Sequence, residues 1–228
     1  MIQATRQHSA DPPLSILWDN DGVLVDSERF YYQSAVEVMA PYGVEIDEPT
    51  YIEHSLVKCA SIFDFVRQRG VGEDEIDALR RRRLKRLNEL MADADDCFVP
   101  GAAELLSELH GRGVAMGCVT GSQRDHFDLL HRDDRLTRHL RFVVSREDYQ
   151  RVKPDPEPYW RGLERGGFEP ERCVVVEDSP RGMRAAVAAG IRCIVIANAT
   201  VRRTADLSPA WAVVDSLDEA RQAIVPLL

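Results

Sequence analysis

Residues 14–18, Leu-Ser-Ile-Leu-Trp, form an apolar run that ends abruptly in two acids, Asp19 and Asp21, followed by Gly22. A short stretch rich in Ile, Leu and an aromatic suits a strand buried on both faces, the condition of a central strand in a parallel sheet. Ligand sites in such sheets lie at the carboxyl ends of the strands, so both acids are expected to face a crevice. Taken alone, Asp21-Gly22 also reads as a hairpin turn. The rest of the chain decides between the two.

Four similar runs and one weaker one follow. Residues 114–120, 142–144, 173–177 and 191–196 read as strands, and Trp211 to Val214 as a last strand at an edge. Helical patterns alternate with them: one from Gly101 through Leu105, Leu106 and Leu109 to Gly111, one carrying Phe127, Leu129 and Leu130, then 159–165, 180–189 and 219–224. Strands alternating with helices of this length indicate right-handed βαβ units. The expected fold class is α/β, a doubly wound parallel sheet (Rossmann-like) with helices on both faces. It is interrupted once. Residues 29–97 show helical periodicity with no strand pattern: Phe30, Ala35, Val38 and Met39 before Pro41, then helices over 48–69 and 73–92, ending in Phe98-Val99-Pro100-Gly101. The chain therefore divides into a flexible start (1–13), an α/β core (14–28 and 98–228) and an inserted α-helical cap (29–97) joined by two hinges. At 228 residues it is long enough for both.

A formal net charge of −9 argues against nucleic acid as a partner, and it would repel an anionic substrate unless a metal or placed Lys and Arg reverse the sign locally. The conspicuous basic run, Arg80 to Arg83 with Lys85 and Arg86, lies on a helix whose Ile76, Leu79, Leu84, Leu87 and Leu90 make an apolar stripe. With Asp77 placed to pair with Arg81 at i,i+4, the run reads as a solvated face; the alternative is one arginine reaching over the crevice toward an anionic substrate. Five cysteines without a C-x-x-C pair, and six histidines without a metal-binding spacing, support neither a disulfide framework nor a zinc centre. No apolar run is long enough to span a bilayer and residues 1–13 lack an apolar signal segment, so the expectation is a soluble cytoplasmic protein with no membrane partner.

Four strand ends carry polar groups: Asp19 and Asp21; Thr120-Gly121-Ser122; Lys153 in the loop after the third strand; and Glu177-Asp178. Singly, each has a structural reading, with Thr120 or Ser122 as a helix N-cap, Lys153 as a solvated lysine, and Ser179-Pro180 as a cap with proline at the first helical position. In order, they read Asp-x-Asp-Gly-Val-Leu-Val-Asp-Ser-Glu (19–28), Cys-Val-Thr-Gly-Ser (118–122), Val-Lys-Pro-Asp-Pro-Glu-Pro-Tyr (152–159) and Val-Val-Val-Glu-Asp-Ser-Pro-Arg-Gly-Met-Arg-Ala-Ala (174–186). This series resembles the four motifs of the haloacid dehalogenase-like phosphohydrolases, in the subgroup with a helical cap after the first strand. The likeness covers nearly all of residues 14–196.

The resemblance implies a Mg²⁺-dependent phosphatase acting on a small-molecule phosphate ester. Asp19 would be the nucleophile that forms an aspartyl-phosphate, and Asp21 the acid that protonates the leaving oxygen and then activates water. Asp19, Asp178 and the backbone carbonyl of Asp21 would hold the ion, with Glu177 bound directly or through water. Thr120, the N–H groups of Gly121 and Ser122, and Lys153 would hold the phosphate. Within this family, dehalogenases and phosphonatases lack an acid at the position of Asp21. A sugar phosphomutase of the β-phosphoglucomutase type is the nearer alternative, but such mutases carry a histidine where this chain has Tyr31, and Gly-x-Ser-Arg where it has Glu53-His54-Ser55-Leu56. A catalytically silent binding protein on the same fold is the third reading, and it has no chemical need of all five of Asp19, Asp21, Thr120, Lys153 and Asp178.

Overall fold

The computed structural model describes residues 14–94 and 97–228. The expected flexible start, 1–13, lies outside them. Six strands form one parallel sheet: β1 (Ser15–Trp18), β2 (Ala115–Val119), β3 (Val143–Val144), β4 (Cys173–Glu177), β5 (Arg192–Ile196) and β6 (Ala212–Val214), in the order β3-β2-β1-β4-β5-β6. The chain builds outward from β1 to β3 on one side, then returns to place β4 against the other edge of β1. That reversal opens a crevice at the carboxyl ends of β1 and β4.

Before β2 come α1 (Glu28–Met39), α2 (Glu48–Ile52), α3 (Asp64–Arg67) and α4 (Glu73–Ala92), then α5 (Ala102–Gly111). The later helices are α6 (Arg124–Leu130), α7 (Glu157–Gly166), α8 (Pro180–Ala188), α9 (Ala199–Thr204) and α10 (Leu217–Ile224). The strands read as continuous apolar runs because both faces are covered. Leu17, Val175 and Cys193 share one apolar layer with Tyr159 of α7 and Met183 of α8. Ile16, Val174 and Ile194 face the other way, onto Leu106 and Leu109 of α5 and Ile224 of α10.

The chain leaves β1 and returns to α5 through adjacent backbone. Asp26 N–H donates to Cys97 O (2.7 Å), and Val99 N–H donates to Leu24 O (3.0 Å). Between these crossings the described residues form helices joined by loops, with no strand, and α1 packs on α4. No helix among the described residues is long and apolar enough to cross a membrane.

Three local expectations need correcting. The helix expected over 48–69 is broken: after α2 the coil widens into a π turn (Glu53–Val57), residues 58–63 form a loop with Cys59 at φ +55°, and only α3 resumes the helix. The loop is closed by Ala60 N–H donating to His54 O (3.0 Å) and by a 3.0 Å bond between His54 Nε2 and Ser61 O, bonds that replace helical ones. Asp77 pairs with Arg80 (2.5 Å) rather than with Arg81. Leu84, assigned to the apolar stripe of α4, is exposed, and Arg83 turns inward instead. Helix α9 was not expected; Asn198 caps it by accepting from Val201 N–H (2.9 Å).

Candidate active site

The residues expected to act together do converge. Asp19 follows β1, Thr120 follows β2, and Glu177 ends β4 with Asp178 after it, while the loop after β3 brings Lys153 back over the sheet. Asp19, Asp21, Gly121, Ser122, Lys153, Glu177 and Asp178 line one crevice of roughly 540 Å³.

Lys153 is the bridge. Its Nζ donates to Asp19 Oδ1 (2.7 Å), Glu177 Oε1 (2.7 Å) and Val119 O (3.0 Å). The solvated-lysine reading thus fails, since this side chain is 8% exposed. Burial alone would lower its affinity for a proton, but the Asp19 and Glu177 carboxylates reverse that and raise it, so the ammonium stays charged.

Glu177 is fully enclosed and accepts from every side. Tyr159 Oη donates to Oε1 (2.7 Å); Ser179 Oγ (3.0 Å), Ser179 N–H (3.3 Å) and Asp178 N–H (3.2 Å) donate to Oε2. Its pKa is lowered: burial would raise it, but Lys153 overrides that. The helix-cap reading of Ser179 also holds, because Ser179 Oγ accepts from Gly182 N–H (3.2 Å), and Pro180 opens α8. Gly182 permits this packing: a Cβ there would lie 1.8 Å from Glu177 Oε1.

Asp21 is held by hydroxyls. Ser27 Oγ donates to its Oδ1 (2.7 Å), while Ser122 Oγ (2.9 Å) and Thr120 Oγ1 (3.2 Å) donate to Oδ2. Ser122 N–H, expected to face phosphate, donates to Thr120 Oγ1 instead (3.0 Å). Asp21-Gly22 is not a hairpin turn. Gly22 has φ +78°, and a Cβ there would lie 2.1 Å from Asp178 Oδ2, so glycine is what lets the first loop approach the fourth.

The donor set suits a hard divalent cation. Asp19, Glu177 and Asp178 each offer an oxygen within 4.8 Å of the others. Burial, then the Glu177 charge, pushes Asp19 up to about 7 despite Lys153; burial, then Glu177 and Asp19, raises Asp178 well above the carboxylate range. Carboxylates crowded this closely resist ionising together unless a cation joins them. The Asp21 carboxylate, engaged by hydroxyls, is not part of this triplet.

Sequence reasoning missed several groups. Asn20, between the two acids, has Oδ1 accepting from His131 Nε2 (2.7 Å), and the buried imidazole is stacked on Phe127 (4.1 Å between centroids) and Phe98 (5.5 Å). Glu28 also lines the crevice, and so do Arg80 and Arg83; the alternative reading of the basic run, one arginine over the crevice, did not say which. Arg83 Nη2 donates to Tyr31 O and to Tyr51 Oη, both at 3.1 Å. Its place was readable: in α4, position 83 continues the i,i+3,i+4 series Ile76, Leu79, Leu87 of buried residues.

A profile of the haloacid dehalogenase-like hydrolase family matches residues 16–196. Hexitol phosphatase A of Escherichia coli (strain K12) is 30% identical over 204 residues, covering 89% of this chain and 91% of its own length. The mitochondrial (DL)-glycerol-3-phosphatase 1 of Arabidopsis thaliana is 30% identical over 191 residues, 79% of this chain; the match spans only 63% of that relative's length. Among solved structures, CbbY from Rhodobacter sphaeroides in complex with phosphate superposes with a TM-score of 0.73 at 27% identity, covering 90% of this chain and 95% of the other. With the four motifs gathered at one end of a 3-2-1-4-5-6 sheet, and the profile spanning most of the chain, the protein belongs to the haloacid dehalogenase-like hydrolase family.

Proposed function

We propose that the protein is a Mg²⁺-dependent phosphatase of the cytoplasm that hydrolyses a small phosphorylated metabolite, a sugar phosphate or related phosphomonoester, through an aspartyl-phosphate. The observation that carries this reading is the shared ammonium: Lys153 Nζ sits 2.7 Å from both Asp19 and Glu177, beside a triplet of acids at the strand ends. An anionic nucleophile approaches an anionic phosphate only where positive charge is already fixed. The cysteines, four of the five buried, suit a reducing compartment.

Asp19 and Asp178, with the Asp21 carbonyl, would hold Mg²⁺. Both Glu177 oxygens already accept hydrogen bonds, which favours an indirect role for that residue. The ion, when bound, neutralises phosphate charge as a Lewis acid. Asp19 attacks phosphorus and the ester bond breaks, with Asp21 giving its proton to the leaving oxygen. Asp21 then takes a proton from the water that cleaves the aspartyl-phosphate, which restores both acids. Lys153, Thr120 and the Gly121–Ser122 loop would steady the phosphate, and the helical segment 29–97 would cap the crevice and exclude water. Tyr31, where mutases carry histidine, favours hydrolysis over return of the phosphoryl group to a sugar.

Purified protein with Mg²⁺ should release phosphate from an aryl phosphate and from members of a metabolite panel. Chelation or Asp19→Asn should abolish it. Full activity in the Asn variant would remove Asp19 from the nucleophile's role; isomerised hexose phosphate without free phosphate would favour the mutase.

A further inference from the structure

The two acids of the first loop flank a residue turned away from the chemistry. Asp19 and Asp21 line the crevice; Asn20 between them does not, and it is completely enclosed. Its main-chain carbonyl gathers the loop, accepting from the N–H groups of Val23 (3.3 Å), Leu24 (2.9 Å) and Val25 (2.9 Å). Its side-chain Oδ1 accepts from His131 Nε2 at 2.7 Å, and its Nδ2 has no partner among the described residues. Among those residues the histidine is therefore the sole polar tie of a buried amide lodged between nucleophile and acid.

The other ties of this loop hold its two ends. Asp19 N–H donates to Val176 O (2.9 Å) at the sheet, and the Asp21 carboxylate is gripped by Ser27, Ser122 and Thr120. The peptide units between them turn on the Asn20 side chain. A hydrogen bond in so enclosed a place is strong, and removing one partner leaves the other desolvated and unpaired, so the amide must rotate to find a new partner and move the loop with it. Phe127 and Phe98 lie on the imidazole, at 4.1 and 5.5 Å between centroids, which fixes the direction in which Nε2 points. Such fixing matters because reacting groups work only within about 0.5 Å of their productive positions.

We infer that His131, 111 residues from Asn20 and outside the crevice, is a positioning residue for phosphoryl transfer: through Asn20 it sets where Asp19 and Asp21 stand. This rests on the phosphatase reading above. The imidazole does not touch substrate, so its loss should slow turnover without weakening ground-state binding.

The test replaces His131 with leucine, which keeps an apolar body between the two phenyl rings, and with glutamine, which keeps a donor for Asn20. On p-nitrophenyl phosphate with Mg²⁺, His131→Leu should lower kcat and kcat/KM together by roughly tenfold or more, with KM within about twofold, while His131→Gln should stay within about threefold of wild type. Combining His131→Leu with Asn20→Leu leaves neither partner unpaired. That double variant should match or exceed the urea midpoint of His131→Leu, yet turn over as slowly as His131→Leu and no more slowly. Hydrogen exchange followed by mass spectrometry should show the amides of residues 22–25 exchanging about tenfold faster in His131→Leu than in wild type or His131→Gln. Wild-type turnover in His131→Leu would overturn the inference, as would a glutamine variant as slow as the leucine one, full turnover in the double variant, or unchanged exchange. Should His131→Leu fail to fold alone, the double variant carries the same comparison. Absence of release from every ester by the wild type would remove the hydrolase reading, while exchange would still decide whether His131 fixes the loop.

Discussion

Acid should destabilise this protein through one histidine. His131 is 7% exposed, its Nε2 bonds Asn20 Oδ1, its Nδ1 has no partner, and aromatic rings lie on it. A second proton would place an unpaired N–H in an apolar slot, so burial lowers the pKa from 6.5 to about 4, a little offset by Asp21. The unfolded chain binds that proton near pH 6.5 and the folded chain does not until about pH 4, so stability is full above 6.5 and falls as pH drops between these values. At about 1.4 kcal/mol per pH unit, the loss from pH 7.5 to pH 4 is ~3 kcal/mol. Urea unfolding of metal-free protein, followed by tryptophan fluorescence at several pH values, measures it when wild type is compared with His131→Gln. Glutamine keeps a donor for Asn20 but does not titrate. Asp19 and Glu28, both pushed up to about 7, titrate with the opposite sense in part of this range, yet they are common to both proteins and cancel in the difference. The wild type should lose ~3 kcal/mol more than the variant. Parallel pH dependences would refute the argument.

Two further outcomes follow from the site. Because Asp19 is pushed up to about 7, ion binding must displace its proton, so Mg²⁺ affinity should weaken by up to about tenfold per pH unit as pH falls below 7; equal affinities by calorimetry at pH 5.5 and 8 would contradict this. Gly182→Ala should cost roughly 2–4 kcal/mol in melting experiments, since its Cβ would lie 1.8 Å from a Glu177 carboxylate that cannot give way. Gly111→Ala, whose Cβ would meet nothing within 4 Å, should change stability by less than about 0.5 kcal/mol, and similar effects at the two glycines would sink the packing argument.

Much of this was legible because the strands are short and each ends in a chemically distinct group. The run before Asp19, the Thr120 turn, Lys153 and the Glu177-Asp178 pair sit in sequence where the sheet needs them, and the structure brings them together. The break after α2 was not legible: residues 53–67 contain neither glycine nor proline, and the left-handed residue is Cys59, a type with no preference for that conformation. Arg83 was hidden by composition, since four consecutive arginines look alike until helical phase separates the one over the buried stripe. Asn20 and His131 are 111 residues apart, and no local pattern announces such a pair.

Glu177 has a wider meaning for how this protein can change. The same carboxylate anchors the ammonium beside Asp19, fastens Tyr159 of α7 to the end of β4 and steadies the turn into α8. Reactivity and architecture therefore share a keystone. A descendant that lost Glu177 would loosen three elements at once, so under the proposed mechanism loss of chemistry with retention of shape is easier by way of Asp19 or Asp21, which make fewer of these ties.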